Sequence, residues 1–154
     1  MLLSRRRLFG LSAVVLLTAC SRRRSDSVTH GDLYLGETPE LRRLIDRAAA
    51  ELQIPASLIH RVIQRESDYN PEARNGPYYG LMQILPQTAR TMGYEGPPEG
   101  LLDAETNLRY AGRYLRGAWI VSGGDEGQAV MWYAKGYYYE AKRLGLLYET
   151  GLRS

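Results

Sequence analysis

The sequence predicts a mainly α-helical domain, and three observations carry the prediction. Apolar residues recur at helical spacing in several windows after residue 38, no stretch alternates with period two, and the glycines and prolines gather between the helical windows. At 154 residues, 44% hydrophobic and 24% charged, the chain has the length and balance of one globular unit. It holds no internal repeat or low-complexity tract.

The first element is not part of that domain. Arg5-Arg6-Arg7 precedes the apolar run Leu8 to Leu17, and Thr18-Ala19-Cys20 closes it with small residues. Ten apolar residues are too few to cross a bilayer, which takes roughly 20, so residues 1–19 read as an export leader. Ser4 to Phe9 also comes close to a twin-arginine signal with its Phe and Leu reversed. Leu17-Thr18-Ala19-Cys20 resembles the bacterial lipobox, which assigns the lone Cys20 as a lipid anchor, with Ser21 in the position that permits outer-membrane sorting. The alternative is a soluble exported protein whose leader happens to end near a Cys. Exported, periplasmic and anchored to the outer membrane is the expected location.

Charge follows from this division. The chain has 20 basic and 17 acidic residues. Loss of Arg5, Arg6 and Arg7 leaves 17 against 17, and Arg22, Arg23 and Arg24 sit directly after the anchor, where they suit anionic headgroups or a solvated tether. The remainder carries 14 basic against 17 acidic residues, so nucleic acid is not an expected partner. Residues 20–37 are expected to be anchor and flexible spacer, and 38–154 the domain. With one Cys and only His30 and His60, neither a disulfide nor a metal centre is expected.

Within the domain, Thr38-Pro39-Glu40 is a helix start, an N-cap hydroxyl followed by Pro and an acid in the first turn. Leu41, Leu44, Ile45, Ala48, Ala49 and Leu52 form its apolar stripe before Pro55 ends it. A second helix is expected from Pro55 to about Ser67 and a short third from Pro86 to about Met92. Gly93, Gly96, Pro97, Pro98 and Gly100 break the chain. Asp103 caps a long fourth helix carrying Leu108, Ala111, Leu115, Ala118 and Trp119, closed by Gly123-Gly124. A fifth covers roughly Glu126 to Lys135, and a sixth Tyr137 to Leu144.

The second helix carries the chemistry. Its stripe is Leu58, Ile59, Val62 and Ile63, and Glu66 is the next place on it, while Arg61, Gln64 and Arg65 take the solvated face. A carboxyl on a buried stripe at a helix C-terminus is raised in pKa by desolvation and by the negative helix end. Both favour the protonated acid, as a general acid for an ether oxygen needs. The plain alternative is a Glu at the stripe's margin, paired with Arg65. His60 reads as a surface helix residue, and Asp68 as a turn or cap residue.

Glu66-Ser67 is followed by Tyr69-Asn70-Pro71 and by Gly80-Leu81-Met82-Gln83-Ile84-Leu85-Pro86-Gln87-Thr88-Ala89. In that order and spacing these blocks resemble the lytic transglycosylases of the lysozyme-like superfamily, and the resemblance extends over residues 52 to about 145. Asp103 to Ala111 looks like the family's helix that starts near an Asp and carries Asn and Leu. The family's Ala-Tyr-Asn-x-Gly block stands here as Trp132-Tyr133-Ala134-Lys135-Gly136, so its Asn is replaced by Ala134. Tyr137, Tyr138 or Tyr139 are the candidates to supply the missing amide's bonds.

The resemblance implies a lysozyme-like α+β fold dominated by helices, with a cleft beside the catalytic helix. It implies peptidoglycan glycan strands as substrate, no cofactor, and one carboxylate, Glu66, acting first as acid and then as base. Tyr133 resembles the family Tyr that orients this Glu, with core packing as its alternative. Met82 and Gln83 resemble cleft-wall residues that contact sugar, although Met82 could equally be core. Tyr79 and the Tyr137 to Tyr139 run are further candidates for the cleft, Ser67 is expected to fix the helix end through local backbone, and Gly80 to give structural support. A water-using hydrolase and a glycan-binding protein impaired by Ala134 are the competing functions.

Overall fold

The computed structural model describes residues 33–153. The leader, Cys20 and the arginine run lie outside the described residues. Each expected helix is present. Helix α1 (Pro39–Leu52) begins where the Thr38 hydroxyl accepts the Leu41 N–H at 3.1 Å, and it ends at Gln53 in the left-handed region, φ 55°. Helix α2 (Ala56–Glu66) follows Pro55 and closes at Ser67. Then come α3 (Pro86–Thr91), α4 (Ala104–Val121), α5 (Glu126–Lys135) and α6 (Tyr138–Leu144). Asp103 and Asp125 cap α4 and α5, accepting the Thr106 and Gln128 N–H groups at 2.8 and 2.7 Å.

Two elements are additions to the sequence reading. Strands β1 (Arg74–Asn75) and β2 (Tyr78–Tyr79) form an antiparallel hairpin with Arg74 opposite Tyr79 and Asn75 opposite Tyr78. Two residues per strand give no periodicity to read. A 3-10 helix spans Pro98–Leu102, inside the Gly/Pro-rich run, where prolines that break an α-helix still permit a short tight turn. Among the described residues no helix is long and apolar enough to cross a membrane.

Helix α4 is the axis of the fold: α1, α3, α5, α6 and the 3-10 helix all pack on it. Its buried face includes Ala111, Gly112, Gly117 and Ala118, small residues that let neighbours approach closely. A Cβ at Gly117 would strike the Tyr137 ring and hydroxyl, so the absence of a side chain there lets Tyr137 lie against α4 and donate to the Tyr114 carbonyl at 2.8 Å. The described residues contain no Phe, and tyrosines fill the core in its place. Each buried ring finds a partner for its hydroxyl: Tyr69 with His60, Tyr79 with Arg74, Tyr94 with the Pro97 carbonyl, Tyr133 with the Met82 carbonyl.

His60 and the end of the spacer both depart from expectation. His60 is only 5% exposed, because residues expected to be spacer fold over it. Its ring lies 4.9 Å from Tyr34 and 5.9 Å from Tyr69, and its Nδ1 is 2.8 Å from the Tyr69 hydroxyl and 3.8 Å from Glu37. Glu37, buried as well, accepts from the Tyr34 N–H and from two nitrogens of Arg42. The packed domain therefore starts before residue 38. Tyr34 and Glu37 carry no stripe of their own, and tertiary contact alone buries them.

These groups make stability depend on pH. Burial holds His60 below its ordinary value against the pull of Glu37. Burial works to raise Glu37, but the Arg42 and Tyr34 bonds outweigh it and hold the carboxyl low. Both groups bind protons more readily when the chain is unfolded, so both contributions are present at neutral pH and are lost as pH falls. His60 acts first, below its unfolded value of 6.5. The melting temperature, followed by circular dichroism, is expected to fall between about pH 7 and 5.5. In His60→Gln the melting temperature is expected to start lower and to change less over that interval, and parallel slopes would exclude the His60 contribution.

Candidate active site

Glu66 is the last residue of α2, and its side chain is one quarter exposed, 25%. It opens into a cavity of about 310 Å³ lined by Arg65, Glu66, Asn75, Tyr78, Gln83, Tyr133 and Ala134. Burial raises the Glu66 carboxyl above its usual range, and the neighbouring Arg65, with its Nε 3.6 Å away, pulls the other way. Among the described residues no hydrogen-bond donor reaches the carboxylate, so nothing offsets desolvation except that one exposed guanidinium.

The segment Gly80 to Gln83, whose Gln83 shares the Glu66 cavity, is held in shape from three sides. The Ser67 hydroxyl, just past the end of α2, donates to the Leu81 carbonyl at 2.7 Å. Its partner is backbone, though fourteen residues on in sequence and not local as expected. From α4, Asn107 accepts the Met82 N–H at 2.9 Å and donates to the Tyr79 and Leu101 carbonyls, both at 2.8 Å. From α5, the Tyr133 hydroxyl donates to the Met82 carbonyl at 2.8 Å. The Gln83 amide turns inward to the Ala73 and Gly80 carbonyls, while its Oε1 is buried with no partner among the described residues. Gly80 has φ 74°, and a Cβ there would strike Asn107 and the Leu101 carbonyl, so its support lies in leaving room for the Asn107 amide.

Several site residues take other places than expected. Met82 is 0% exposed. Its side chain is core, and only its backbone serves the site, so it offers a sugar no surface. Tyr79 is likewise buried, under the Arg74 guanidinium at 4.4 Å from its ring. Adjacent residues of a strand point to opposite faces, and it is the exposed Tyr78 that lines the cavity. Tyr137 is core. Tyr138 and Tyr139 are exposed but line neither cavity beside the site, so none of the three replaces the amide missing at Ala134. Asp68 sits in a turn with φ 51°, exposed to solvent, as expected.

Tyr133 shares the Glu66 cavity. Burial first, then the Glu66 charge, pushes its phenol well above its usual range, so it stays a neutral hydroxyl. Its proton is given to the Met82 carbonyl, not to Glu66, and any further bond it makes is as an acceptor. A second cavity, of about 260 Å³, shares Tyr78, Gln83, Tyr133 and Ala134 with the first and continues to Leu85, Thr88, Tyr114, Lys135 and Gly136. Asn107, which ties the site loop to Tyr79 and Leu101 through three bonds, was legible only as part of a helix. The signal that could have found it is the one that marks Glu66: it stands four residues before Ala111 on an apolar stripe.

The family model of the Transglycosylase SLT domain matches residues 43–149. The solved structure of the 70 kDa soluble lytic transglycosylase SLT70 from Escherichia coli aligns with a TM-score of 0.59 and 28% sequence identity, over 71% of this chain. The alignment covers 19% of that protein, so the chain spans about a fifth of its length. The mainly helical, lysozyme-like fold expected from the sequence is borne out.

The polar suspension of the loop sets an expectation for Asn107→Ala. It would leave the Met82 N–H and the Leu101 carbonyl buried without partners, at about 1–3 kcal/mol each with partial relief by water, while the Tyr79 carbonyl would keep the Ile84 N–H at 3.1 Å. A loss of about 3 kcal/mol or more in urea unfolding is expected, and a loss under 1 kcal/mol would show that the loop holds its shape without it.

Proposed function

Since the chain belongs to the Transglycosylase SLT domain family, we propose that it is a peptidoglycan lytic transglycosylase in which Glu66 is the acid and then the base. The bond cut is the β-1,4 link between N-acetylmuramic acid and N-acetylglucosamine. The observation that carries this reading is the Glu66 carboxyl, raised by burial at the mouth of a cavity and followed by the motif-bearing loop. Glu66 gives its proton to the glycosidic oxygen, and the sugar's own acetamido oxygen stabilises the positive charge that develops at C1. The carboxylate so formed then takes the proton of the C6 hydroxyl, whose oxygen attacks C1 and leaves a 1,6-anhydro sugar. The proton lost in the first half returns in the second, and no water is consumed.

Two features of the site favour this over a two-carboxylate hydrolysis. Such enzymes place a second carboxyl about 5–10 Å from the first, and among the described residues lining the two cavities Glu66 is the one carboxylate. A Tyr133 hydroxyl that can only accept also suits a protonated Glu66 better than an ionised one. Oriented attack by an internal hydroxyl carries a large effective molarity. We place the enzyme outside the cytoplasm, anchored through Cys20. The twelve residues from Ser21 to Asp32 reach about 40 Å at full extension, which would confine the packed domain to the glycan nearest the membrane. The reading of an impaired glycan binder draws on Ala134, which lines both cavities with no amide.

Digestion of purified sacculi, read by mass spectrometry, is expected to give muropeptides lighter by one water than hydrolytic products. Glu66→Gln should lower release by about 10²–10⁴-fold. Hydrolytic masses would make the protein a lysozyme-type enzyme, and sacculus binding without release would make it a binder.

The pH profile offers a separate check. The acid must be protonated, so kcat/KM falls as pH rises through the raised Glu66 value. Removing the cation in Arg65→Gln raises that value further, and the alkaline limb is expected to move to higher pH. A limb that stays in place would mean that another group sets it.

A further inference from the structure

Glu66 ends α2, and soon after it the backbone passes through two consecutive left-handed residues, Asp68 at φ 51° and Tyr69 at φ 65°. For a residue as bulky as Tyr69 that conformation persists only where the surroundings hold it. Ser67 ties the start of this turn to the Leu81 carbonyl. The rest of the turn packs on residues 34–37, to which the chemistry at Glu66 gives no part.

The contacts there are close. Gly36, at φ 82°, lies so near the turn that a Cβ on it would stand 2.7 Å from the Asp68 carbonyl oxygen and 3.6 Å from the Tyr69 Cβ. The Tyr34 ring stacks on the Tyr69 ring, with centroids 6.1 Å apart and planes at 13°. Tyr69, only 3% exposed, meets His60 through its hydroxyl. The segment also closes on itself, since the Tyr34 N–H donates to the Glu37 carboxylate and the Glu37 N–H to the Tyr34 carbonyl, both at 3.0 Å. Arg42 on α1 then fixes it through two bonds to Glu37, at 2.7 and 2.6 Å. Tyr34, Gly36, Glu37 and Arg42 all precede residue 43, where the family match begins.

We propose that residues 34–37 are a clasp that positions the catalytic carboxyl: by holding the Asp68–Tyr69 turn they fix the end of α2, and with it the way Glu66 enters its cavity. The inference rests on the reading of Glu66 as the acid. Tyr34, Gly36 and Glu37 are positioning residues that act through the backbone of the turn. A chain begun at Thr38, where the helix signals place the domain, would lack them. A clasp that served stability alone would lower the melting temperature and leave Glu66 as it is.

The test compares the full-length chain in detergent with Tyr34→Ala, Gly36→Ala and Tyr34→Phe. Val121→Ala, a core truncation at the last position of α4, serves as the stability control. All are measured well below their melting temperatures. In Tyr34→Ala and Gly36→Ala, hydrogen exchange is expected to quicken about tenfold or more at the Asp68 and Asn70 amides, which donate to the Ile63 and Ser67 carbonyls. The Glu66 carboxyl, followed by carbon-13 NMR, should titrate at lower pH in both, because a loosened helix end admits water. Arg65 on α2, Tyr78 on β2 and Tyr133 on α5 share its cavity and are unchanged in every variant. On soluble glycan strands kcat should fall about tenfold with KM held within about twofold. Tyr34→Phe keeps the ring and should match the wild type in all three measurements, as should Val121→Ala despite its lower melting temperature. Unchanged exchange, an unmoved Glu66 titration, full kcat in an active protein, or equal changes in Val121→Ala overturns the proposal. If Gly36→Ala fails to fold, Tyr34→Ala decides, since its ring is 46% exposed and its loss opens little of the core. If the wild type releases no product, the catalytic reading fails, and exchange and titration still decide the clasp.

Discussion

The Asn107 side chain is the fixed point on which the rest of the site depends. It is fully buried on α4, the helix on which α1, α3, α5 and α6 pack, and its amide bonds one backbone N–H and two carbonyls from separate segments. A loop such as Gly80 to Gln83 cannot satisfy its own backbone once buried. It must borrow partners, and here α2, α4 and α5 each lend one through Ser67, Asn107 and Tyr133. The loop that shares the Glu66 cavity is thus held by the same elements that form the core, and the geometry across the cleft is as rigid as the packing behind it. Gly80 is the concession that this arrangement requires, a position where any side chain would displace the amide.

The electrostatics follow from the same burial. A carboxyl at a helix end, a quarter exposed and without hydrogen bonds among the described residues, is raised above its usual range chiefly by the dry wall behind it. That wall is made of tyrosines and of loop backbone whose polar groups are already paired. Tyr133 illustrates the economy of the design: one ring fills the core, its proton fixes the loop, and its lone pairs remain toward the cavity. Arg65 tempers the effect from the solvent side, where screening keeps its influence modest. Glu37 shows the opposite solution: its side chain is more deeply buried than that of Glu66, yet Arg42 and a backbone N–H hold its carboxyl low. The two carboxyls shift in opposite directions because one has donors and the other has none.

Much of this was legible in the sequence. All six helices could be placed from apolar spacing and caps, since a stripe at period 3.6 repeats over enough residues to be recognised. Glu66 could be singled out because a carboxyl on such a stripe breaks the pattern. The hairpin, the 3-10 helix and the burial of His60 could not. A two-residue strand has no period, and His60 becomes interior only when Tyr34 and Glu37, distant in sequence, cover it. Tyr78 and Tyr79 are adjacent and chemically identical, so which one faces the cleft depends on the strand's register.

By itself, then, the sequence determined the helical architecture, the acid at the end of α2 and the loop motif that follows it, because each is a local pattern written in consecutive residues. Only the tertiary structure decided that Met82 is core and Tyr78 is cleft, that Asn107 suspends the loop, and that Ala134 lines both cavities. Those outcomes depend on what lies opposite each side chain across the fold, and the identity of that neighbour is set by packing between segments up to some fifty residues apart, where no local pattern reaches.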